Sequence, residues 1–557
     1  DWYNASQRRR WTVLSDPKKK LTVRVCCEDS DDSIPVFYRS FPLRETEPVG
    51  AQLQRELPFW TPANPVLLDL PPGAGKTSFV YDVLIPAALA QGKNLLLVSN
   101  RVALSFQQKR AILERLRSPL SRLLTDEGVR QTEDFGPVRV ITYHRLSALV
   151  DDPDSAPWLN SLLFAVFDEC HYFTSDALFN SYAEHQLRLA CQRFCHAVRI
   201  YMTGTSWDVL QPLSEAEMRF YHRRTFYPQW TLPRECIRYT LPVHSDRYRL
   251  HFFHTLEDLS SLIAEQPRAK WMIFVDSKAR GRRFAQELSV PTTYLDAESK
   301  GSDVWEHIIR EKEFSTQVLV TTSALDVGID IIDPEVQNVA VIADNRTALL
   351  QMAGRRRLQA GERIDLWVCD LPKAAVSARL RKYQDWLHWY SRLDACRQPE
   401  HHWALAAQLW CQEDPALRVL FRLGKERIFP NQLARYALRR RCFLLERIQR
   451  GETTFRREAA LWLGMDPDAS GAVAALHRFY AEHGGQALDT VLQGELRQLI
   501  NNCYAESGHR ERQPDRLLKN KHHALTNRLE EMQLPYSIVT RGDAWLLTKT
   551  NHCEEVT

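Results

Sequence analysis

Five short apolar runs, each followed by a glycine or polar turn and then by helical periodicity, recur in the first half of the chain. They are Val66 to Leu70, Asn94 to Ser99, Val138 to Thr142, Leu163 to Asp168 and Val198 to Thr203. Runs that are apolar at nearly every position suit strands covered on both faces, and strand–helix alternation implies parallel pairing through crossover helices. After a Pro- and Arg-rich connection, roughly Tyr227 to Asp246, the pattern restarts with Trp271 to Val275, Thr292 to Leu295, Gln317 to Thr321, Val339 to Ala343 and Ile364 to Cys369. The predicted fold class is therefore α/β, with two parallel sheets in tandem.

A length of 557 residues exceeds what one core sustains, about 250 to 300 residues, so three or four units are expected. Residues 1–55 read as an N-terminal accessory segment, with basic clusters at Arg8 to Arg10 and Lys18 to Lys20 and β-like runs at Leu21 to Cys26 and Pro35 to Phe41. The chain opens at Asp1 without a methionine, which suggests a missing upstream region. Residues 56–240 and 241–372 are the two predicted α/β domains. Beyond Pro372 amphipathic helical periodicity dominates, so residues 373–557 are predicted to form a mainly α-helical domain. Its end, helical from Ala524 to Met532 and then Tyr536 to Thr540, Arg541-Gly542-Asp543 and Ala544 to Thr548, reads either as a winged helix or as a hairpin capping the helices.

A formal net charge of +4 points to no partner, so any nucleic-acid contact must come from local patches. Twelve cysteines without C-x-x-C spacing argue for a reduced, cytoplasmic protein and against zinc or iron–sulfur sites. No run of about 18 apolar residues suggests a membrane span.

Two motifs carry chemistry. Gly73-Ala74-Gly75-Lys76-Thr77-Ser78 follows the strand Val66 to Leu70 and precedes a helical stretch, the context of a phosphate loop. Backbone N–H groups there would close on the phosphates of ATP, Lys76 would reach the β- and γ-phosphates, and the Thr77 hydroxyl would ligate Mg²⁺. Leu70 replaces the first glycine of the general pattern. Asp168-Glu169-Cys170-His171 emerges from a second apolar run, with Asp168 expected to hold Mg²⁺ through water and Glu169 to orient the attacking water.

With these residues and those that follow, residues 56–372 resemble the superfamily 2 helicases and translocases of the DEAD/DEAH-like group. The resemblance implies two RecA-like domains and ATP hydrolysis between them. It makes Ser99 and Arg101, in Leu97-Val98-Ser99-Asn100-Arg101, and Thr142, in Ile141-Thr142-Tyr143-His144, nucleic-acid contacts. Met202-Thr203-Gly204-Thr205 stands where the family couples the acidic turn, through His171, to the nucleic-acid side. In the second domain Ser277 and Lys278, and the threonines Thr321 and Thr322, are implied nucleic-acid contacts, while Gly328 and Asp330 face nucleotide across the cleft.

Gln351-Met352-Ala353-Gly354-Arg355-Arg356-Arg357 matches the arginine-finger motif in a shortened Q-M-x-G-R-x-R form similar to viral origin-binding and mobile-element helicases. Gln351, Arg355 and Arg357 are assigned to the γ-phosphoryl group, and Arg356 to solvent or nucleic acid. No DEAD-type Q motif precedes the phosphate loop. The implied function is ATP-driven movement along single-stranded nucleic acid, DNA favoured over RNA. The alternative is a nucleotide-switched binding or loading ATPase that unwinds nothing.

In the tail, Arg435, Arg439, Arg440, Arg441, Arg447 and Arg450 cluster within one predicted helix, as either a phosphate-tracking surface or a basic face covering acidic neighbours. A second cluster, Arg510, Arg512, Arg516, Lys519, Lys521 and Arg528, runs up to the hairpin. The pairs His401-His402 and His522-His523 lack metal-ligand spacing, because adjacent helical residues project about 100° apart. No nuclease pattern is present.

Overall fold

The computed structural model describes residues 12–16, 21–25, 38–100, 102–116, 124–222, 236–241, 247–299, 301–322, 330–359, 361–396, 399–411, 415–424, 428–465, 472–506, 522–532, 534, 536–542 and 544–549. Its contacts form two compact units, residues 1–455 and 456–557.

In the first unit, β1 (Thr12–Asp16) and β2 (Leu21–Val25) pair as an antiparallel ribbon. The first large sheet has seven parallel strands: β3 (Tyr38–Pro42), β4 (Val66–Asp69), β5 (Asn94–Ser99), β6 (Val138–Thr142), β7 (Leu162–Phe167), β8 (Val198–Thr203) and β9 (Cys236–Thr240). Their order is β3-β9-β4-β8-β7-β5-β6. Leu95 to Val98 and Ala165 to Phe167 are fully buried, as strands covered by helices on both faces require. Because β8 lies between β4 and β7, the turns after these three strands converge at one carboxyl edge, where such sheets bind ligands.

The second sheet contains β10 (Tyr248–Phe253), β11 (Lys270–Phe274), β12 (Thr292–Leu295), β13 (Val318–Thr321), β14 (Val336–Val341) and β15 (Ile364–Cys369), all parallel, in the order β10-β15-β14-β11-β13-β12. The tandem parallel sheets agree with the sequence prediction.

Two predicted boundaries differ from the structure. The run Pro35 to Phe41, expected in an accessory segment, contributes β3, which pairs in register with β9 nearly two hundred residues away. The helix Val49–Glu56 buries Val49 and Leu53 in the core of the first sheet, so the first α/β domain begins upstream of residue 56. After Pro372, the helices Lys373–Ala395 and Gln432–Gln449 belong to the first unit and pack against each other. The second reaches the first α/β domain: Asn431 Nδ2 donates to the Ala177 carbonyl at 3.2 Å, and Gln432 N to Glu184 Oε2 at 2.6 Å. A short antiparallel pair, β16 (Phe421–Leu423) and β17 (Ile428–Pro430), lies between these helices in sequence.

The second unit holds the helices Ala472–His483, Thr490–Glu506 and His522–Glu531 and the hairpin β18 (Tyr536–Arg541) and β19 (Ala544–Lys549). Leu488 bridges to Trp545 as a single-residue third strand, and Leu525, Leu529 and Leu547 fill the core. Helix, bridge residue, two helices and hairpin is the element order of a winged helix.

Candidate functional site

The turn after β4 is a phosphate loop in backbone as well as in sequence. Gly73 and Gly75 take the left-handed region, at φ 80° and 89°, which side chains disfavour. The helix Lys76–Phe79 starts immediately behind them, aiming its free N–H groups at the loop. Lys76 is buried, its Nζ donating to the carbonyls of Leu70 and Pro71 at 2.6 and 3.2 Å. Burial lowers its pKa, against the opposing pull of Glu169 and Asp168. Thr77 is half-buried, Ser78 exposed and Ala74 partly covered.

Asp168 and Glu169, in sequence neighbours, are held differently. Asp168 is 3% exposed; its Oδ2 accepts from Gln108 Nε2 at 2.7 Å and its Oδ1 from Glu169 N at 3.0 Å. Burial, then the neighbouring Glu169 charge, pushes its pKa up. Glu169 adopts φ 50°, a strained conformation for a non-glycine residue. Burial would raise its pKa too, but the hydrogen bond to His171 and the charges of Lys76 and Arg355 hold it below the usual carboxylate range.

His171 joins the two domains. Nδ1 lies 3.3 Å from Glu169 Oε2 and 3.1 Å from Thr203 Oγ1, and Nε2 meets the Gln351 side-chain amide. With that amide donating to Nε2, the imidazole proton sits on Nδ1, facing Glu169 and Thr203. Thr203 Oγ1 also receives Thr205 N at 2.9 Å. The implied coupling element after β8 thus touches the acidic turn through His171.

From the second domain, Arg355 and Arg357 converge on Asp330, at 3.6 and 2.9 Å. Arg356 is a correction. It is buried, with Nε donating to the Val336 carbonyl at 3.2 Å and Nη2 pairing with Glu362 at 3.2 Å, so it faces neither solvent nor nucleic acid. The reason is local: Ile331 N donates to the Arg355 carbonyl and Arg357 N to the Ile331 carbonyl, both at 2.8 Å. This extended pairing sends alternate side chains to opposite faces. Pro72 packs against two glycines: an added Cβ at Gly204 would lie 3.1 Å from its Cδ, and one at Gly354 3.3 Å from its Cγ.

The implied nucleic-acid residues are scattered in exposure. Ser99 and Thr321 are fully buried and Thr322 nearly so. Thr142 is half-buried ahead of the turn Tyr143–Arg145. Ser277 caps the helix Lys278–Glu287, and Lys278 pairs with Glu298 at 3.0 Å. Arg101 and Gly328 lie outside the described residues.

Sequence reasoning missed Gln108, whose helix Val102–Arg115 carries it under Asp168, and Tyr143, whose hydroxyl donates to the Asp168 carbonyl at 3.0 Å. It also missed Asp208, which accepts from Thr347 Oγ1 on the helix Arg346–Ala353 and lies 3.9 Å from Arg440. The basic run of the helix Gln432–Gln449 largely faces acids: Arg441 donates to the Tyr383 hydroxyl at 3.0 Å and is attracted by Asp344, Arg435 pairs with Asp394, and Arg447 and Arg450 with Glu452.

The donor set suits a magnesium nucleotide. Among the described residues no group of three His, Cys, Asp or Glu side chains could hold a metal alone. Thr77 and Asp168 offer two ligand positions beside a phosphate cradle, and Mg²⁺ is commonly completed by waters and substrate phosphates.

Residues 46–207 match the family of the type III restriction enzyme res subunit, a span that contains the phosphate loop, the acidic turn and Thr203 to Thr205. No curated protein is significantly similar to the chain. Among solved structures, the chain is similar to the helicase Lhr of Mycobacterium smegmatis bound to single-stranded DNA and AMP-PNP, at 17% identity, TM-score 0.40, covering 60% of this chain and 49% of that one. It is similar to the DUF1998 helicase MrfA bound to DNA, at 16% identity, TM-score 0.43, covering 70% and 60%. It is also similar to the DEAD-box helicase Mss116 bound to single-stranded RNA and UDP-BeF, at 13% identity, TM-score 0.42, covering 62% and 79%. The chain thus spans about half the length of the Lhr chain, and at these TM-scores the likenesses carry no argument. The two parallel sheets agree with the predicted α/β fold, and the matched family covers the phosphate loop and the acidic turn.

Proposed function

We propose that the chain is an ATP-dependent translocase or helicase that moves along single-stranded nucleic acid, DNA favoured over RNA, by opening and closing the cleft between its two α/β domains. The observation that carries this reading is the Glu169–His171–Gln351 chain, which ties the water-activating carboxylate to the opposite domain. When ATP binds, Lys76 leaves the Leu70 and Pro71 carbonyls for the phosphates; Thr77 and Asp168 would hold Mg²⁺, which would supply neutralising charge there.

Glu169, kept ionised by His171, Lys76 and Arg355, orients a water against the γ-phosphorus and takes its proton as the P–O bond to ADP breaks. Arg355 and Arg357 exchange Asp330 for the transferring phosphoryl group, where fixed guanidinium charge is most valuable. Hydrolysis therefore needs a closed cleft. Gln351 reports closure to His171, and Thr203 extends the contact to β8. The DNA preference rests on the winged-helix order of the second unit.

The test is ATP turnover with single-stranded DNA, duplex DNA and RNA, measured beside strand displacement. Stimulation by single-stranded DNA with movement is expected. Stimulation by RNA alone sinks the DNA preference, and turnover without displacement or translocation favours a nucleotide switch.

A further inference from the structure

Eight residues beyond His171, the chain surfaces at a place the nucleotide site does not use. Phe179 is 79% exposed and Tyr182 49%. The helix Ala183–Arg193 begins there and carries His185 and Arg188, with Arg188 Nη2 2.8 Å from His185 Nδ1. Beside them, Arg422 of β16 lies over the Tyr182 ring at 5.7 Å and over the Phe429 ring of β17 at 4.5 Å.

Neither Arg188 nor Arg422 has a carboxylate within ion-pair distance among the described residues. Glu184, the neighbouring acid on the helix, attracts Arg422 from farther off, its Oε2 accepting from Gln432 N. Burial, then Arg422 and Arg188, push His185 down to about 4, with Asp151 opposing them. Two guanidiniums brought together in a half-buried place repel each other unless an anion joins them, and their planar forks match phosphate. Exposed aromatic rings beside such cations offer a stacking face for bases. An acidic peptide would satisfy the guanidiniums but leave the rings unused.

The loop is also wired to the reaction centre. Asn180 Nδ2 donates to the Tyr172 hydroxyl at 2.7 Å; Tyr172 stacks on Tyr143 with ring centroids 4.4 Å apart; and Tyr143 holds the Asp168 carbonyl at 3.0 Å.

We propose that this surface binds a second stretch of the single strand, with a phosphate between Arg188 and Arg422 and a base stacked on Phe179. The proposal rests on the translocase reading, and the Asn180–Tyr172–Tyr143 contacts carry occupancy to the acidic turn.

The test is fluorescence anisotropy of the full chain with labelled single-stranded DNA and RNA across a salt series. Arg188→Ala/Arg422→Ala lowers the slope of log affinity against log salt by about 1.4, two single-strand phosphate contacts at about 0.7 each. Phe179→Ala weakens binding about tenfold with the slope unchanged. Melting temperatures equal to that of the parent certify the fold, and iodouracil photocrosslinking of the parent chain, mapped to residues 179–188, gives a readout free of any variant. A parent that binds while both variants match it, or crosslinks that avoid residues 179–188, overturns this surface and leaves the translocase reading standing. A parent that binds neither strand removes both. A poly-glutamate peptide that competes as well as an oligonucleotide of equal charge overturns the nucleic-acid assignment.

Discussion

Gln351→Leu isolates the link between the two domains. The substitution keeps the side-chain volume but removes the amide that donates to His171 Nε2. Losing one hydrogen bond costs about 1 kcal/mol, and the freed imidazole no longer holds its Nδ1 proton toward Glu169 at 3.3 Å, a charge-assisted contact worth roughly a further 1–2 kcal/mol. Together, about 2–3 kcal/mol correspond to about a 30- to 150-fold fall in kcat for nucleic-acid-stimulated hydrolysis. ATP affinity, read with a fluorescent nucleotide, stays near the parent value, because Lys76 and the glycine turn are untouched.

The assay is a double-mutant cycle with His171→Ala, in which Gln351→Leu should cost no more than about threefold once the imidazole is gone. Fully additive losses would show that Gln351 acts through something other than His171 and refute the reasoning. So would a Gln351→Leu enzyme that turns over at the parent rate.

Further outcomes follow from the same geometry. Glu169→Gln should bind nucleotide yet lose about 10²- to 10⁴-fold in turnover, measured by phosphate release. Arg357→Ala should cut turnover by about 10³-fold with little change in melting temperature, whereas Arg356→Ala, which empties a buried position, should lower the melting temperature instead. Asp344→Asn removes the carboxylate that pairs with Arg379 at 3.2 Å and attracts the half-buried Arg441, and should destabilise the fold by about 1–3 kcal/mol at neutral pH, read by denaturant unfolding. Arg441 and Arg379 outweigh burial and hold the Asp344 carboxyl down to about 2. Its contribution is therefore present above the ordinary carboxylate range and fades as pH falls from about 4 toward 2, where parent and variant should converge.

What was legible in the sequence was whatever depends on short spacing. The apolar runs announced both parallel sheets, and the phosphate loop and acidic turn announced themselves as strand-to-turn signals. The edge strand Tyr38–Pro42 was hidden because its partner β9 is far away in sequence, and no local pattern encodes that register. Arg356 was misassigned because three adjacent arginines look alike until the Ile331 pairing alternates them. Gln108 had no signal at all: a glutamine on a helix acquires meaning only when packing sets it under Asp168. The basic run of the helix Gln432–Gln449 likewise could not reveal its acids, which come from other elements.

Pro72, between Gly204 and Gly354, sets a mechanical limit. A prolyl ring has almost no freedom to yield, and Gly354, which the second domain brings against it, has no side chain, so the domains could come no nearer at this place than the ring allows. A methyl group added at Gly354 would also meet the Leu350 carbonyl at 3.1 Å, so the ring or the helix end must give by a few tenths of an ångström. The two domains would then stand slightly farther apart at this contact, a small displacement for the fold and a larger one for the Arg355 guanidinium beside it.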